Sequence, residues 1–346
     1  MISDARDRPL LKVGIYSVSH FVVDFACAFL MFRYIAGTPD AWLCVLLYNF
    51  FAFAVQMPMG LLADKINRNF LFAAIGLILV AAAYGFPNVA VLAAIALGLG
   101  NGMFHIGGGI DVLNISDKKS SYLGVFVSPG ALGVYLGTIL GNGDEPFGAV
   151  MVAALIAAAA VILVMQKAQG SFHSLNASLS LKGAGTGGIL IAAACLFLVV
   201  CLRSYVGLSL AFPWKGAGAW GALLICAVVL GKTLGGFASD RFGAGKTAIF
   251  SLGIAALLFL FSGTPVFGVA AVLLFNMTMP ITLRAMANIF HGAKGFSFGV
   301  LTFGLFLGFL PAFSGVNPPP ETYWIFTAGA VLSLALLMAG LRRAGS

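Results

Sequence analysis

Charge is what this sequence has least of. Eleven acidic and nineteen basic side chains are spread over 346 residues, so 9% of the chain is charged, against about 25% in an ordinary soluble domain. A water-soluble fold of this length needs a charged surface, and this composition cannot cover one. Cysteine is scarce as well. Cys27, Cys44, Cys195, Cys201 and Cys226 all fall in apolar stretches with no CxxC spacing, which speaks against a disulfide framework and against a zinc site. Phosphate-binding loops are missing. In "GAGKT" at 243–247 the first glycine such a loop requires would fall where the chain has Asp240, and "GLGNGMF" does not complete GxGxxG. No enzyme activity, cofactor or resident metal is expected from these patterns.

What is present is apolar: 61% of residues are hydrophobic and the mean hydropathy is +1.04. Segments near the length of a helical span, about 20 residues, recur between short loops containing Gly, Pro or charge. They fall at 13–34, 41–62, 70–86, 89–113, 122–142, 147–165, 188–211, 217–238, 247–262, 265–289, 296–313 and 322–341. The pattern predicts an all-α integral membrane protein with twelve transmembrane helices and lipid as its main solvent. "MISDARDRPLLK" is polar and no small-residue cleavage site follows the first apolar stretch, so that stretch is expected to be the first span rather than a leader.

A net charge of +8 would suit a nucleic-acid partner, but its distribution points elsewhere. With twelve spans and the N-terminus inside, the basic residues from Lys12, Lys65 and Arg68 to Lys246, Lys294 and Arg343 gather on one side. Arg33 and Lys215 fall opposite, with Asp40, Asp144 and Glu321. This is the positive-inside distribution. It predicts both termini in the cytoplasm of a plasma (inner) membrane protein, and it supports an even number of spans.

The chain repeats itself. "GLLADKINRN" at 60–69 and "GFASDRFGAG" at 236–245 align as Gly-x-x-x-Asp-Lys/Arg, 176 residues apart. "NGMFHI" at 101–106 and "NMTMPI" at 276–281 align at an offset of 175. The repeat predicts six-helix bundles at 1–165 and 188–346, joined by the Ser-, Gly- and Ala-rich cytoplasmic linker 166–187.

Two six-span halves, each with an acidic-basic loop after its second span, resemble the major facilitator superfamily. The loop signature is carried by Gly60, Asp64, Lys65 and Arg68 in the first half and by Gly236, Asp240, Arg241 and Gly243 in the second, with Asn67 standing where that family has Gly. The resemblance implies two pseudo-symmetric bundles, alternating access, and a gating role for these loops. Each Asp would accept hydrogen bonds from a neighbouring helix N-terminus in one access state. "SHFVVDF" at 19–25, "GNGMFHIGG" at 100–108 and "CLRSYVGLSLAFP" at 201–213 further resemble the fosmidomycin-resistance-type exporters. Those exporters usually follow the span-four His with Pro-Glu, whereas Ile106 and Gly107 follow His105 here.

Few ionisable groups fall inside the spans, and such groups normally face a bundle interior or an aqueous cavity. His20 lies about 10 Å inside the first span by helical rise, and Asp24 about one turn deeper. Their i,i+4 spacing puts them on one helical face within hydrogen-bonding reach, as a pair able to take up and release a proton or as a buried structural lock. Arg203 in the seventh span stays charged and needs an acidic neighbour, for which Asp24 is the candidate, or an anionic ligand. His105, Asn101, Gln56 and Asn276 are candidate substrate contacts. In the fifth span Gly133, Gly137 and Gly141 permit close helix packing. With Pro129, they loosely resemble the antiporter motif of the superfamily.

The expected function is therefore secondary active transport of a small polar or amphipathic molecule: proton-coupled efflux, with His20 and Asp24 carrying the proton. Three alternatives stay open. The chain could be a proton-coupled uptake symporter. It could carry a divalent metal on ligands drawn from His20, Asp24, His105 and Asp111. It could also be a non-transporting membrane sensor.

Overall fold

The computed structural model describes residues 9–116, 119–144, 146–168, 179, 186–319 and 321–344, and the described residues contain helices and no strands. The helices are α1 (Pro9–Leu30), α2 (Ala41–Asn49), α3 (Gln56–Ile66), α4 (Asn69–Ala83), α5 (Ala90–Ile115), α6 (Ser120–Val127), α7 (Pro129–Gly141) and α8 (Gly148–Ala168). They continue with α9 (Thr186–Ser209), α10 (Trp220–Phe242), α11 (Ala244–Leu260), α12 (Pro265–Asn276), α13 (Thr278–Ile289), α14 (Lys294–Phe313) and α15 (Trp324–Ala344). Among the described residues, ten helical stretches are long and apolar enough to cross a membrane. Some contain a local irregularity, as where π-helical Met31–Ile35 extends α1 and Phe50–Ala54 joins α2 to α3. Two shorter apolar helices, α4 and α11, occupy the third and ninth expected segments. Most of the linker at 166–187 lies outside the described residues.

The reason for this architecture is solvent. In hydrocarbon every backbone N–H and C=O must be satisfied within the segment, which selects helices. Apolar side chains then face outward as readily as inward. Val164 is 65% exposed and Leu257 61%, which would be a fault in water and is ordinary against lipid tails.

The chain folds as two compact units. The first comprises Met1–Asp117, Val125–Ser178 and Gly292–Gly299, the second Lys118–Gly124, Leu179–His291 and Val300–Ser346. Within the first, α1 packs on α7 and α4 on α5, and glycine sets both distances. A Cβ built on Gly133, Gly137 or Gly141 would meet the carbonyl of Phe21, Phe25 or Phe29, one α1 turn after another, and Gly76 and Gly100 press face to face between α4 and α5. Such small-residue contacts replace the hydrophobic driving force that lipid removes.

The Gly-x-x-x-Asp copies are built alike. In the first unit Asp64, 4% exposed, accepts hydrogen bonds from the Gly295 N–H at 2.8 Å and the Phe296 N–H at 2.9 Å, at the N-terminus of α14. A Cβ on Gly60 would run into the Gly295 carbonyl. In the second unit Asp240 accepts from the Ser120 N–H at 2.6 Å and the Ser121 N–H at 3.0 Å, at the N-terminus of α6. There a Cβ on Gly236 would come within 2.7 Å of the Ser120 carbonyl. Each glycine lets a helix end approach closely enough for the carboxylate one turn later to cap it, where the helix dipole favours negative charge. Lys65, Arg68 and Arg241 are exposed. Asn67 ends α3 with φ 61°, the left-handed conformation in which Gly is preferred and Asn is the best-tolerated substitute.

Candidate functional site

The polar residues of α1 lie on one stripe. Tyr16, His20 and Asp24 succeed one another at four-residue spacing, and α5 runs alongside with Asn101, His105 and Asp111. His20 and Asp24 meet as their spacing requires: Nε2 lies 3.1 Å from Oδ2. The His105 Nε2 comes from the neighbouring helix to within 2.8 Å of the His20 Nε2 and 3.9 Å of the Asp24 Oδ1. Asn101 donates from Nδ2 to the same Oδ1 at 2.7 Å. Both Asp24 oxygens are thus engaged inside the first unit. His20 is 5% exposed, His105 8% and Asn101 1%, so the cluster is almost sealed.

The other ring nitrogens decide the chemistry. His20 Nδ1 lies 2.7 Å from the Phe126 carbonyl, and His105 Nδ1 lies 2.8 Å from the Asn101 carbonyl. A carbonyl only accepts, so both Nδ1 atoms carry hydrogen and, in neutral rings, both Nε2 atoms present lone pairs. The His20 lone pair then faces the His105 lone pair at 2.8 Å and the Asp24 carboxylate at 3.1 Å, with His105 3.9 Å from that carboxylate. Three acceptors repel unless a cation lies among them, and a single added proton on either Nε2 converts the contact into an N–H···N bond beside a carboxylate. The donor atoms of His20, Asp24 and His105 all lie within 4.8 Å of one another, and a carbonyl behind each Nδ1–H is also the usual outer shell of a metal-bound imidazole. The set could therefore equally receive a divalent cation as cargo.

The break between α6 and α7 completes the cluster. Pro129 has no N–H, and the helix is interrupted at Ser128. Just before the break the Phe126 carbonyl turns to His20, and just after it Gly130 passes so close that a Cβ there would overlap both the Asp24 Oδ2 and the His20 Nε2. The sequence reading did not single out Phe126 or Gly130. A main-chain carbonyl leaves no signature in residue type, and Gly130 belongs to a span already rich in glycine.

Asp111 stands apart. Its Oδ2 accepts from the Tyr16 hydroxyl at 2.5 Å and its Oδ1 from Asn69 Nδ2 at 2.9 Å, so the fourth candidate metal ligand is committed elsewhere. Gln56 is fully buried; its Nε2 donates to the Ala52 carbonyl, while Oε1 has no hydrogen-bond partner among the described residues. It lies beside Gly102, whose Cβ would approach Gln56 Cγ to 3.4 Å. In the second unit Asn276 turns back onto the Val272 carbonyl of its own helix at 2.8 Å. Arg203 lies there on the buried face of α9, 9% exposed, and its Nη1 has no hydrogen-bond partner among the described residues.

No protein-family model matches the sequence, and no curated protein of similar sequence is found. Solved structures do match in fold. The E. coli fucose:proton symporter FucP is similar with a TM-score of 0.64 at 15% identity, over 97% of this chain and 99% of that one. A structure of FucP described as a major facilitator superfamily transporter in the outward conformation gives 0.66, also at 15% identity and over 97% and 99%. A bacterial homologue of the iron transporter ferroportin, in an outward-facing state, gives 0.62 at 14% identity over 98% and 100%. This chain therefore shares the fold of these transporters, one of which is described as a major facilitator superfamily transporter.

Proposed function

We propose that this protein is a proton-coupled secondary transporter that exports a small polar or amphipathic molecule by alternating access. The observation that carries the reading is the convergence of two imidazole Nε2 atoms and the Asp24 carboxylate around a space that requires a cation. A proton satisfies it with the groups already there. Proton coupling has a precedent on this fold in the fucose:proton symporter. The export direction rests on the resemblance to fosmidomycin-resistance-type exporters and on the Gly- and Pro-rich fifth span; uptake by symport is the alternative.

In this scheme His20 and Asp24 carry the proton, with His105 beside them, while the candidate substrate contacts are His105, Asn101 and Gln56 on the first unit and Arg203 and Asn276 on the second. Asp64 and Asp240, with Gly60, Gly236, Lys65, Arg68 and Arg241, stabilise one access state. The chain acts as a monomer in the plasma membrane with both termini cytoplasmic. The test begins with a ligand identified by thermal shift and loaded into proteoliposomes. An imposed pH gradient drives its net flux in the parent protein. In Asp24→Asn and His20→Gln net flux loses its response to the gradient, while exchange of labelled for unlabelled ligand persists. Gradient-driven flux that survives both substitutions sinks the proposal.

A second reading takes the cation to be the cargo. The three donors and the carbonyl-backed imidazoles favour it, and a ferroportin homologue shares the fold. Stabilisation by Mn(II), Co(II) or Zn(II) that disappears in His20→Ala, with no gradient-driven flux of any organic ligand, would select it.

A further inference from the structure

Arg203 is a buried charge whose counter-charge is missing from its own unit. The second unit contains two acidic side chains, Asp240 and Glu321. Asp240 caps α6 through the Ser120 and Ser121 N–H groups, and Glu321 is exposed in the loop before α15. Neither is paired with Arg203. Nor is the guanidinium a lipid-facing group reaching for the membrane surface. On α9 the buried positions are Ala192, Ala193, Leu196, Val199, Val200, Arg203, Val206 and Ser209, among which Arg203 is the only charge, on a helix that packs against α13 and α15. A guanidinium cannot shed its charge, and a charge kept in a low-dielectric interior without a partner is strongly unfavourable. A fold retains such a group where an anion arrives to meet it.

We infer that Arg203 is the recognition point for an oxyanion on the transported molecule, so that the substrate is an organic anion. The inference rests on the transporter reading above and names its substrate class. The planar fork of the guanidinium matches a carboxylate or a phosphate through two parallel N–H···O bonds. The orphaned Nη1 is one of the donors that such a ligand would engage. In the first unit the Asp24 oxygens are already engaged by His20 and Asn101. The proton site and the anion site are thus separate pieces of chemistry on separate units.

The test is thermal melting of the purified full chain in detergent, which does not depend on coupling. The probes are lactate, benzoate and inorganic phosphate, each against chloride at matched ionic strength, so that carboxylate and phosphate recognition are read apart. The parent protein is expected to be stabilised by at least one probe. Arg203→Met removes the unpaired charge at similar volume, so it should melt a few degrees above the parent without ligand and lose the response to the probe. Arg203→Lys should keep a weakened response, because the charge remains and the fork does not. The inference is overturned if Arg203→Met melts below the parent, the mark of a structural ion pair broken. It is equally overturned if no probe shifts the parent, or if the shift survives in Arg203→Met. Loss of gradient coupling in His20 or Asp24 variants bears on the proton reading alone and leaves these melting outcomes untouched.

Discussion

His20 and His105 point Nε2 at Nε2 across 2.8 Å, and each ring is fixed in that sense by a main-chain carbonyl behind its Nδ1. Two such rings bind one proton as a unit, so their substitutions should not add. His20→Gln, His105→Gln and the double variant are each expected to abolish gradient-driven flux to the same degree, with ligand exchange retained. A double variant much worse than either single one would mean that the two rings work independently.

Gly130 is the steric limit of the same cluster. A Cβ at this position would overlap the Asp24 Oδ2 and the His20 Nε2, and neither can retreat, because Asn101 and Phe126 hold them from behind. Gly130→Ala should therefore cost about 1–3 kcal/mol in overpacking and pull the His20–Asp24 contact apart. Gradient-driven flux is expected to fall further than in Gly133→Ala, which meets backbone at Phe21 rather than the site. Equal effects of the two substitutions would reduce Gly130 to a packing residue.

Asp64 and Asp240 each cap a helix N-terminus with both carboxylate oxygens. Replacement by Ala removes a cap of a kind typically worth about 0.5–2 kcal/mol from the state in which it is made. A shift of that size moves a two-state equilibrium by roughly 2- to 30-fold. Asp64→Ala and Asp240→Ala should each slow transport at unchanged expression, and accessibility of single cysteines near the Gly295 and Ser120 helix ends should rise. Unchanged accessibility in both would assign these loops no part in gating.

Asn67 sits at φ 61° as the C-cap of α3. Asn67→Gly should leave stability unchanged or raise it by a few tenths of a kcal/mol, whereas Asn67→Ala should lower it by about 1 kcal/mol, because the left-handed region penalises a Cβ that cannot form local hydrogen bonds. Melting of the two variants side by side reads the sign. An Ala variant as stable as the parent would show that the loop relaxes into another conformation.

Much of this was legible because lipid simplifies the code. Apolar length marked the helices, including the separation of α4 from α5 at "GFPN", and i,i+4 spacing joined His20 to Asp24. The repeat aligned two loops that the structure builds alike, down to the glycine that admits each helix end. What could not be read was the third dimension between helices. Nothing in the spacing of "SHFVVDF" says that His105 arrives from α5 with its Nε2 foremost. Nothing in "FVSPGAL" says that its break turns a carbonyl towards His20. Asp111 joins the candidate metal ligands by its chemistry, but six residues of helix beyond His105 carry it past the cluster, to Tyr16 and Asn69.

That second cluster makes a separable prediction. Tyr16 is fully buried and gives its hydroxyl hydrogen to the Asp111 Oδ2, while Asn69 holds Oδ1, tying α1, α4 and α5 together one turn from the histidines. Tyr16→Phe leaves a buried carboxylate oxygen without that donor, which should cost about 1–3 kcal/mol. Replacing the acceptor as well, in Tyr16→Phe with Asp111→Asn, removes the stranded charge and should recover part of the loss. Because the His20–His105–Asp24 contacts involve neither residue, both variants should still respond to an imposed pH gradient once corrected for the amount of folded protein. If Tyr16→Phe instead abolishes that response at parental stability, the Tyr16–Asp111 pair belongs to the proton path rather than to the scaffold.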